Sequence, residues 1–202
     1  MIDAKKRVLD NPRYAVALRK YRQFLSLISD RKEQVSRLVE WLENRTNWLV
    51  APASSRFHLN FEGGLLIHSV GVTESLFKLR DCLGVDYSDE TCVIVALFHD
   101  VGKVGNENEP LYVENPDEAG RKSQPFVRNP NIVSMGLGVR SLFILRRFVD
   151  LTDEEAQAVC YHDGQYIPDN RSVALKERPL LLMLHFADLW TTQVIETENF
   201  RK

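Results

Sequence analysis

The chain has 202 residues, of which 44% are hydrophobic and 27% charged, and its formal net charge is −2. These values are ordinary for a globular protein with one buried core, and they exclude a global basic field of the kind that attracts duplex nucleic acid. The three cysteines lack metal-binding spacing and no apolar run approaches the ~18 residues of a membrane span, so we expect a cytoplasmic protein with free thiols and no membrane partner.

Residues 1–50 predict a helical hairpin that packs on a core formed by residues 51–202. Asn11 followed by Pro12 is typical of an N-cap and the first position of a helix, and Asp30 is a candidate cap for a second helix. The basic residues of the hairpin favour a solvated face. The hairpin is alternatively a surface for homo-oligomerisation.

The stretch Ala51–Ser55 interrupts the helical pattern and predicts a loop that leads into Arg56 and His58. Either side chain is a candidate contact for a substrate phosphate. The alternatives are a packed histidine and a solvated arginine. A helix is then expected from about Gly64 to Gly84, and it carries His68 in apolar surroundings.

A buried helix is predicted where Ser88 precedes two acidic residues and an apolar run follows. The run Cys92–Phe98 leads directly into His99 and Asp100, with Lys103 one turn further on. A nitrogen and an oxygen donor side by side suit Mn²⁺, Fe²⁺, Zn²⁺, Ni²⁺ or, less well, Mg²⁺. Lys103 is either an exposed lysine at a helix end or a point charge for a phosphate.

Residues 104–130 lose the helical signal, because asparagine, proline and glycine recur along them. We expect a long irregular loop with a possible short β-hairpin, from Leu111–Val113 to Pro125–Val127. Such a loop is a candidate lid, and Arg128 is a candidate phosphate contact. The alternative is a purely structural excursion.

Three helices are predicted in the last third of the chain. One lies around Ser134–Val149, and a second begins with a capping box at Thr152 and ends at His162, a candidate acid/base group or additional ligand. The third begins at Pro179 and contains Asp188, with His185 and Thr192 one turn away on either side as candidates to orient it.

The sequence offers a metal-binding set from separate helices. An ionised aspartate in the apolar stretch Leu180–Trp190 is costly unless a cation or a hydrogen-bonding partner compensates it. His68 lies in equally apolar surroundings. We therefore predict that a divalent metal is held by His68, His99, Asp100 and Asp188.

These motifs resemble the HD superfamily of metal-dependent phosphohydrolases, whose signature is H…HD…D on an all-helical bundle. The resemblance covers roughly residues 50–195, and three stretches carry it: Gly63–Ser69, Phe98–Lys103 and Ala187–Asp188. Phe57–Gly64 looks most like bacterial 3′–5′ exoribonucleases and other bacterial and phage HD hydrolases. The resemblance implies an all-α fold, an HD-domain helical bundle.

One position departs from the binuclear members of that superfamily, which carry two further histidines between the HD pair and the last aspartate. Leu137 stands where the first is expected, and His162 matches the other. A single additional imidazole is a poor site for a second ion, so we predict one divalent metal, of uncertain identity.

The predicted activity is hydrolysis of a phosphomonoester or phosphodiester in a nucleotide or oligonucleotide substrate. The metal would activate a water molecule, Lys103 would offset charge on the phosphoryl oxygens, and Asp100 or His162 would accept the proton. The alternatives are a non-catalytic sensor or scaffold that binds metal and nucleotide, and a purely structural bundle.

Overall fold

The computed structural model describes residue 8 and residues 10–197, and the prediction of an all-α fold is confirmed. Seven α-helices are assigned within residues 10–197. They are α1 (Pro12–Leu25), α2 (Lys32–Arg45), α3 (Gly64–Leu83), α4 (Asp89–Phe98), α5 (Leu137–Leu145), α6 (Asp153–Tyr161) and α7 (Pro179–Trp190). A 3-10 helix, Val101–Val104, follows α4, and a π-helix, Thr191–Ile195, continues α7.

Helix α3 lies at the centre of the bundle, packed against α1, α4 and α7. Its first seven residues, from Gly64 to Val70, are all buried, which explains the unbroken apolar pattern around His68. It ends where Gly84 adopts a left-handed conformation with φ of 63°, as the sequence predicts. Neighbouring α4 is equally enclosed, because every residue from Cys92 to Phe98 has no exposed surface.

The predicted hairpin at 1–50 corresponds to α1 and α2, whose apolar residues belong to the same hydrophobic core as α3 to α7. Trp48 joins the two parts, since its ring lies 6.3 Å from that of Tyr21 and 6.0 Å from that of Phe98. Residues 1–7 and residue 9 of the hairpin lie outside the described residues. A separate unit at 1–50 and its role in oligomerisation stay predictions.

The predicted β-hairpin in residues 104–130 is present. Strands β1 (Tyr112–Glu114) and β2 (Phe126–Arg128) pair antiparallel, with Tyr112 opposite Arg128. The next helix, α5, runs from Leu137 to Leu145 and is therefore shorter than the expected range of Ser134–Val149. Helix α5 packs on the 3-10 helix at Gly102, where a Cβ atom would lie 2.7 Å from the carbonyl oxygen of Leu137. Glycine at this position therefore permits the close approach that places Lys103.

The start of α2 corrects one prediction. Asp30 does not cap this helix, whose N-cap position is occupied by Arg31, and the side chain of Arg31 makes no capping hydrogen bond. The backbone N–H groups of Ser29 and Asp30 instead donate to Glu90 Oε2, both at 2.8 Å. Because Glu90 lies some sixty residues away in α4, the partner of this turn is not visible in the local sequence.

Arg31 completes this junction by linking three helices. Its Nε donates to Glu90 at 2.7 Å, and Nη1 and Nη2 donate to the two carboxylate oxygens of Glu155 at 2.7 and 2.8 Å. Glu155 also accepts from the backbone of Thr152 in the capping box of α6, as the sequence predicts. Both carboxylates are buried, so each depends on the guanidinium for its compensation.

None of the described helices is both long and apolar enough to cross a membrane.

We predict that Arg31→Ala lowers the free energy of unfolding by about 3 kcal/mol, because it leaves two buried carboxylates without their cation. Urea denaturation monitored by circular dichroism measures this loss. Arg37→Ala, at an exposed position of the same helix, is the matched control and should change stability by less than about 0.5 kcal/mol. Equal stabilities for the two variants would contradict the assigned role of Arg31.

Candidate metal centre

The candidate site lies where four helices meet. His68 projects from the first turns of α3, His99 and Asp100 follow the last residue of α4, and Asp188 comes from the last turn of α7. His162 is the C-cap residue of α6. The three histidines and Asp100 are buried, and the side chain of Asp188 is 20% exposed.

The structure brings together the four side chains predicted to hold a metal. Nε2 of His68 lies 3.2 Å from Asp188 Oδ1 and 3.4 Å from Asp100 Oδ2. Nε2 of His99 also lies 3.4 Å from Asp100 Oδ2. Donor atoms of His68, His99 and Asp188 all fall within 4.8 Å of one another, a spacing that one ion can span.

The tautomers of two histidines follow from their places at helix ends. Nδ1–H of His99 donates to the carbonyl oxygen of Ala96 at 2.7 Å, and Nδ1–H of His162 donates to that of Val159 at 2.8 Å. When either ring is neutral, it has this single N–H, and its Nε2 presents a lone pair to the site. Burial lowers the pKa of His162, but Asp100 and Asp163 outweigh burial and raise it to about 9. The helical backbone thus fixes both rings with the metal-binding nitrogen pointing inward.

This arrangement tests whether a cation fits the site. The Nε2 atoms of His68 and His99 are buried and have no hydrogen-bond partner within the part of the chain that the structure describes. A nitrogen lone pair that faces a carboxylate oxygen is repelled unless a proton or a cation lies between them. Burial lowers the pKa of His68, but Glu196, Asp100 and Asp188 outweigh burial and raise it well above its usual value, so a proton fills this place on His68 when no cation does. When a cation is present, the mixed nitrogen and oxygen donors suit a divalent transition metal.

Asp100 faces the site with both oxygens. While Oδ2 faces His68 and His99, Oδ1 lies 3.5 Å from Nε2 of His162. Burial raises the pKa of Asp100, but Lys103 and the surrounding histidines outweigh burial and hold the pKa well below its usual range. The carboxylate therefore stays ionised in the interior of the protein.

Lys103 is buried and its Nζ lies 2.5 Å from Asp100 Oδ2. Burial lowers the pKa of this amine, but Asp100 and Tyr112 outweigh burial and the pKa is raised, so the amine is protonated. Tyr112 belongs to β1, which places the 104–130 loop within electrostatic range of the site.

Glu196 is a buried carboxylate of the site that the sequence analysis did not identify. Its Oε2 accepts a hydrogen bond from Nδ1 of His58 at 2.6 Å, and both of its oxygens lie 3.2 Å from Nδ1 of His68. Burial raises the pKa of Glu196, but His68 and His58 outweigh burial and lower it to about 2. One sequence pattern could have identified Glu196: Asp188, Thr192 and Glu196 are spaced four residues apart, which places them on one face of a helix.

The other predicted residues lie at different distances from the cluster. His58 is tied to it through Glu196, and Thr192 Oγ1 donates to Asp188 Oδ1 at 3.3 Å. His185 donates from Nδ1 to the carbonyl oxygen of His162 at 2.8 Å, so it supports His162. It was predicted to orient Asp188, but no described hydrogen bond joins these two side chains.

Two arginines predicted to bind substrate do not contact these side chains through any described hydrogen bond. Arg56 is exposed and its guanidinium lies 5.8 Å from the centre of the Phe57 ring. Arg128 is exposed on β2 and donates to the carbonyl oxygen of Met135 at 3.2 Å. A role for either arginine in substrate binding stays a prediction.

The His/Asp cluster is compatible with an HD-type metal site, and the resemblance to the HD superfamily that the motifs indicate is confirmed.

Comparison with curated proteins finds a relative in Methanocaldococcus jannaschii, a dihydroneopterin 2′,3′-cyclic phosphate phosphodiesterase, with 30% identity over 122 residues. The alignment covers 58% of this chain and 44% of the relative, so the chain matches less than half of that protein's length. No protein-family model matches the sequence, and no solved structure matches it.

We predict that Mn²⁺ stabilises the metal-free wild type and that Asp188→Asn abolishes most of this effect, because asparagine keeps the shape but removes a charged ligand. At a free Mn²⁺ concentration of about 100 times Kd, the expected stabilisation of the wild type is about 2.7 kcal/mol. Thermal unfolding at increasing Mn²⁺ concentration measures it. The control Asp86→Asn, at an exposed position, should respond like the wild type. A full Mn²⁺ response from Asp188→Asn would exclude this aspartate as a ligand.

Proposed function

We propose that this protein is a metal-dependent phosphohydrolase that cleaves a phosphodiester bond in a nucleotide-type substrate. The observation that carries the proposal is the buried pair of unpartnered Nε2 atoms, of His68 and His99, facing two carboxylates. The phosphodiesterase activity named for the archaeal relative supports the reaction class.

In this proposal His68, His99, Asp100 and Asp188 hold one divalent ion. When bound, such an ion supplies Lewis acidity, which lowers the pKa of water and polarises a phosphoryl oxygen. Nε2 of His162 faces the same space, 3.5 Å from Asp100, so when its ring is neutral His162 is placed to accept a proton from an attacking water. Leu137 leaves a second ion without the histidine that binuclear superfamily members supply.

Lys103 provides the positive charge of the proposed mechanism. Its buried ammonium lies against Asp100 and can offset negative charge that develops on phosphoryl oxygens bound beside it. His58, whose side chain is 10% exposed, lies at the edge of the site and is the better placed of the predicted substrate contacts. Arg56 and Arg128 would reach a substrate only if it extends beyond the buried cluster.

A second function is a sensor or scaffold that binds metal and nucleotide without turnover. The observation that favours it is the ion pair that fixes Lys103 on Asp100, because an amine held there is less available to a phosphate. The absence of a histidine at Leu137 points the same way. Asp100→Asn discriminates the two functions, since loss of turnover with retained nucleotide binding supports an enzyme.

We predict that Lys103→Ala lowers kcat by about 100-fold or more, because it removes the charge opposite the developing phosphoryl oxyanion. The measurement is steady-state hydrolysis of bis-nitrophenyl phosphate, nucleoside 2′,3′-cyclic phosphates, cyclic dinucleotides and short RNA by Mn²⁺-loaded protein. Lys122→Ala, at an exposed position of the 104–130 loop, is the control and should keep the wild-type rate. Metal-loaded wild type that cleaves none of these substrates would refute the enzyme and leave the sensor.

A further inference from the structure

Glu196 is a carboxylate with 2% of its side chain exposed, and it contacts histidines from two separate segments. It follows the π-helix Thr191–Ile195, which continues the helix that carries Asp188. The same stretch of chain therefore delivers one carboxylate to Nε2 of His68 and another to its Nδ1.

The distance between His58 and Glu196 identifies a hydrogen bond between them and not a shared ion. Two donor atoms bound to one ion at about 2.1 Å lie about 3 Å apart. Nδ1 of His58 and Oε2 of Glu196 are only 2.6 Å apart, a distance typical of a charge-assisted hydrogen bond. His58 thus holds the carboxylate in place from one side, and the carboxylate meets Nδ1 of His68 on the other.

We propose that Glu196 is the positioning residue that makes His68 a metal ligand. An ionised carboxylate can only accept, so its contact with Nδ1 requires the proton of the His68 ring to be there. When the ring is neutral, Nε2 is then left with a lone pair directed at Asp188 and Asp100. This inference rests on the metal site of the proposed function.

The need for such a residue follows from what His68 would otherwise do. With the proton on Nε2, the ring would donate directly to Asp188 Oδ1, 3.2 Å away. That hydrogen bond would satisfy both groups and compete with the cation for the same two ligands. His99 and His162 avoid this because their Nδ1–H groups bind the backbone of their own helices. The structure describes no backbone partner for Nδ1 of His68, so a distant carboxylate takes that role.

The inference is tested with Glu196→Ala and Glu196→Gln, with Gln193→Ala in the preceding π-helix as the exposed control. Mn²⁺ affinity, measured by electron paramagnetic resonance of the free ion, should fall by about 10- to 100-fold in Glu196→Ala. Glu196→Gln should retain most of the affinity, because its amide oxygen can still accept from Nδ1. Gln193→Ala should bind as the wild type does.

A second readout needs no metal. Nitrogen-15 spectra of histidine-labelled, metal-free protein, recorded above the raised pKa of His68 so that its ring is neutral, should show His68 protonated on Nδ1 in the wild type and in Glu196→Gln, and on Nε2 in Glu196→Ala. An unchanged tautomer and unchanged Mn²⁺ affinity in Glu196→Ala would overturn the inference. An equal loss in Glu196→Gln would also overturn it, because the charge would then matter and not the acceptor. If the tautomer of His68 differs between the wild type and Glu196→Ala as expected, but the wild type binds no Mn²⁺, the result would instead refute the proposed function.

Discussion

The structure depends on keeping one ionised carboxylate, that of Asp100, inside a helical bundle. An unpaired carboxylate in such a place costs several kcal/mol, and burial alone would favour its protonated form. Lys103 and three histidines surround it, so the charge is retained. Because these histidines come from α3, α4 and α6, the three helices must converge on this point, and the apolar runs that precede or surround the histidines are the surfaces by which they pack.

Features that depend on neighbours in the chain could be predicted from the sequence. Asn11, Ser88 and Thr152 cap their helices as expected, because each side chain bonds backbone groups two or three residues ahead. The start of α2 was predicted wrongly for the complementary reason. The backbone N–H groups of the turn before α2 donate to the carboxylate of Glu90. No local pattern distinguishes Glu90 from any other acidic residue in the first turn of α4, so Asp30 was the better candidate for the cap by local rules.

The same distinction separates the site residues that could be predicted from those that could not. His99 and Asp188 stand out because polar groups within apolar runs need a specific partner. Glu196 lies in a segment of mixed polar and apolar residues, where a glutamate is normally solvated, and only its four-residue spacing from Thr192 and Asp188 indicates a place in the site. His185 is three residues before Asp188 on the same helix face and was therefore predicted to orient it, although its hydrogen bond goes to the carbonyl oxygen of His162 at the end of α6.

The net charge of the buried cluster indicates which charge its metal ion should carry. Asp100, Asp188 and Glu196 are ionised, Lys103 is protonated, and the histidines serve as neutral ligands when Nε2 binds a metal. Three carboxylates and one ammonium leave a net charge of −2 among these groups. A monovalent cation would leave a buried negative charge uncompensated, and a second divalent ion would require additional anionic ligands. In the metal-free protein, protons on His68 and His162, whose pKa values are raised, balance this charge. A single divalent cation that displaces both protons balances it equally, so the charge of the cluster and its nitrogen and oxygen donors favour the same stoichiometry.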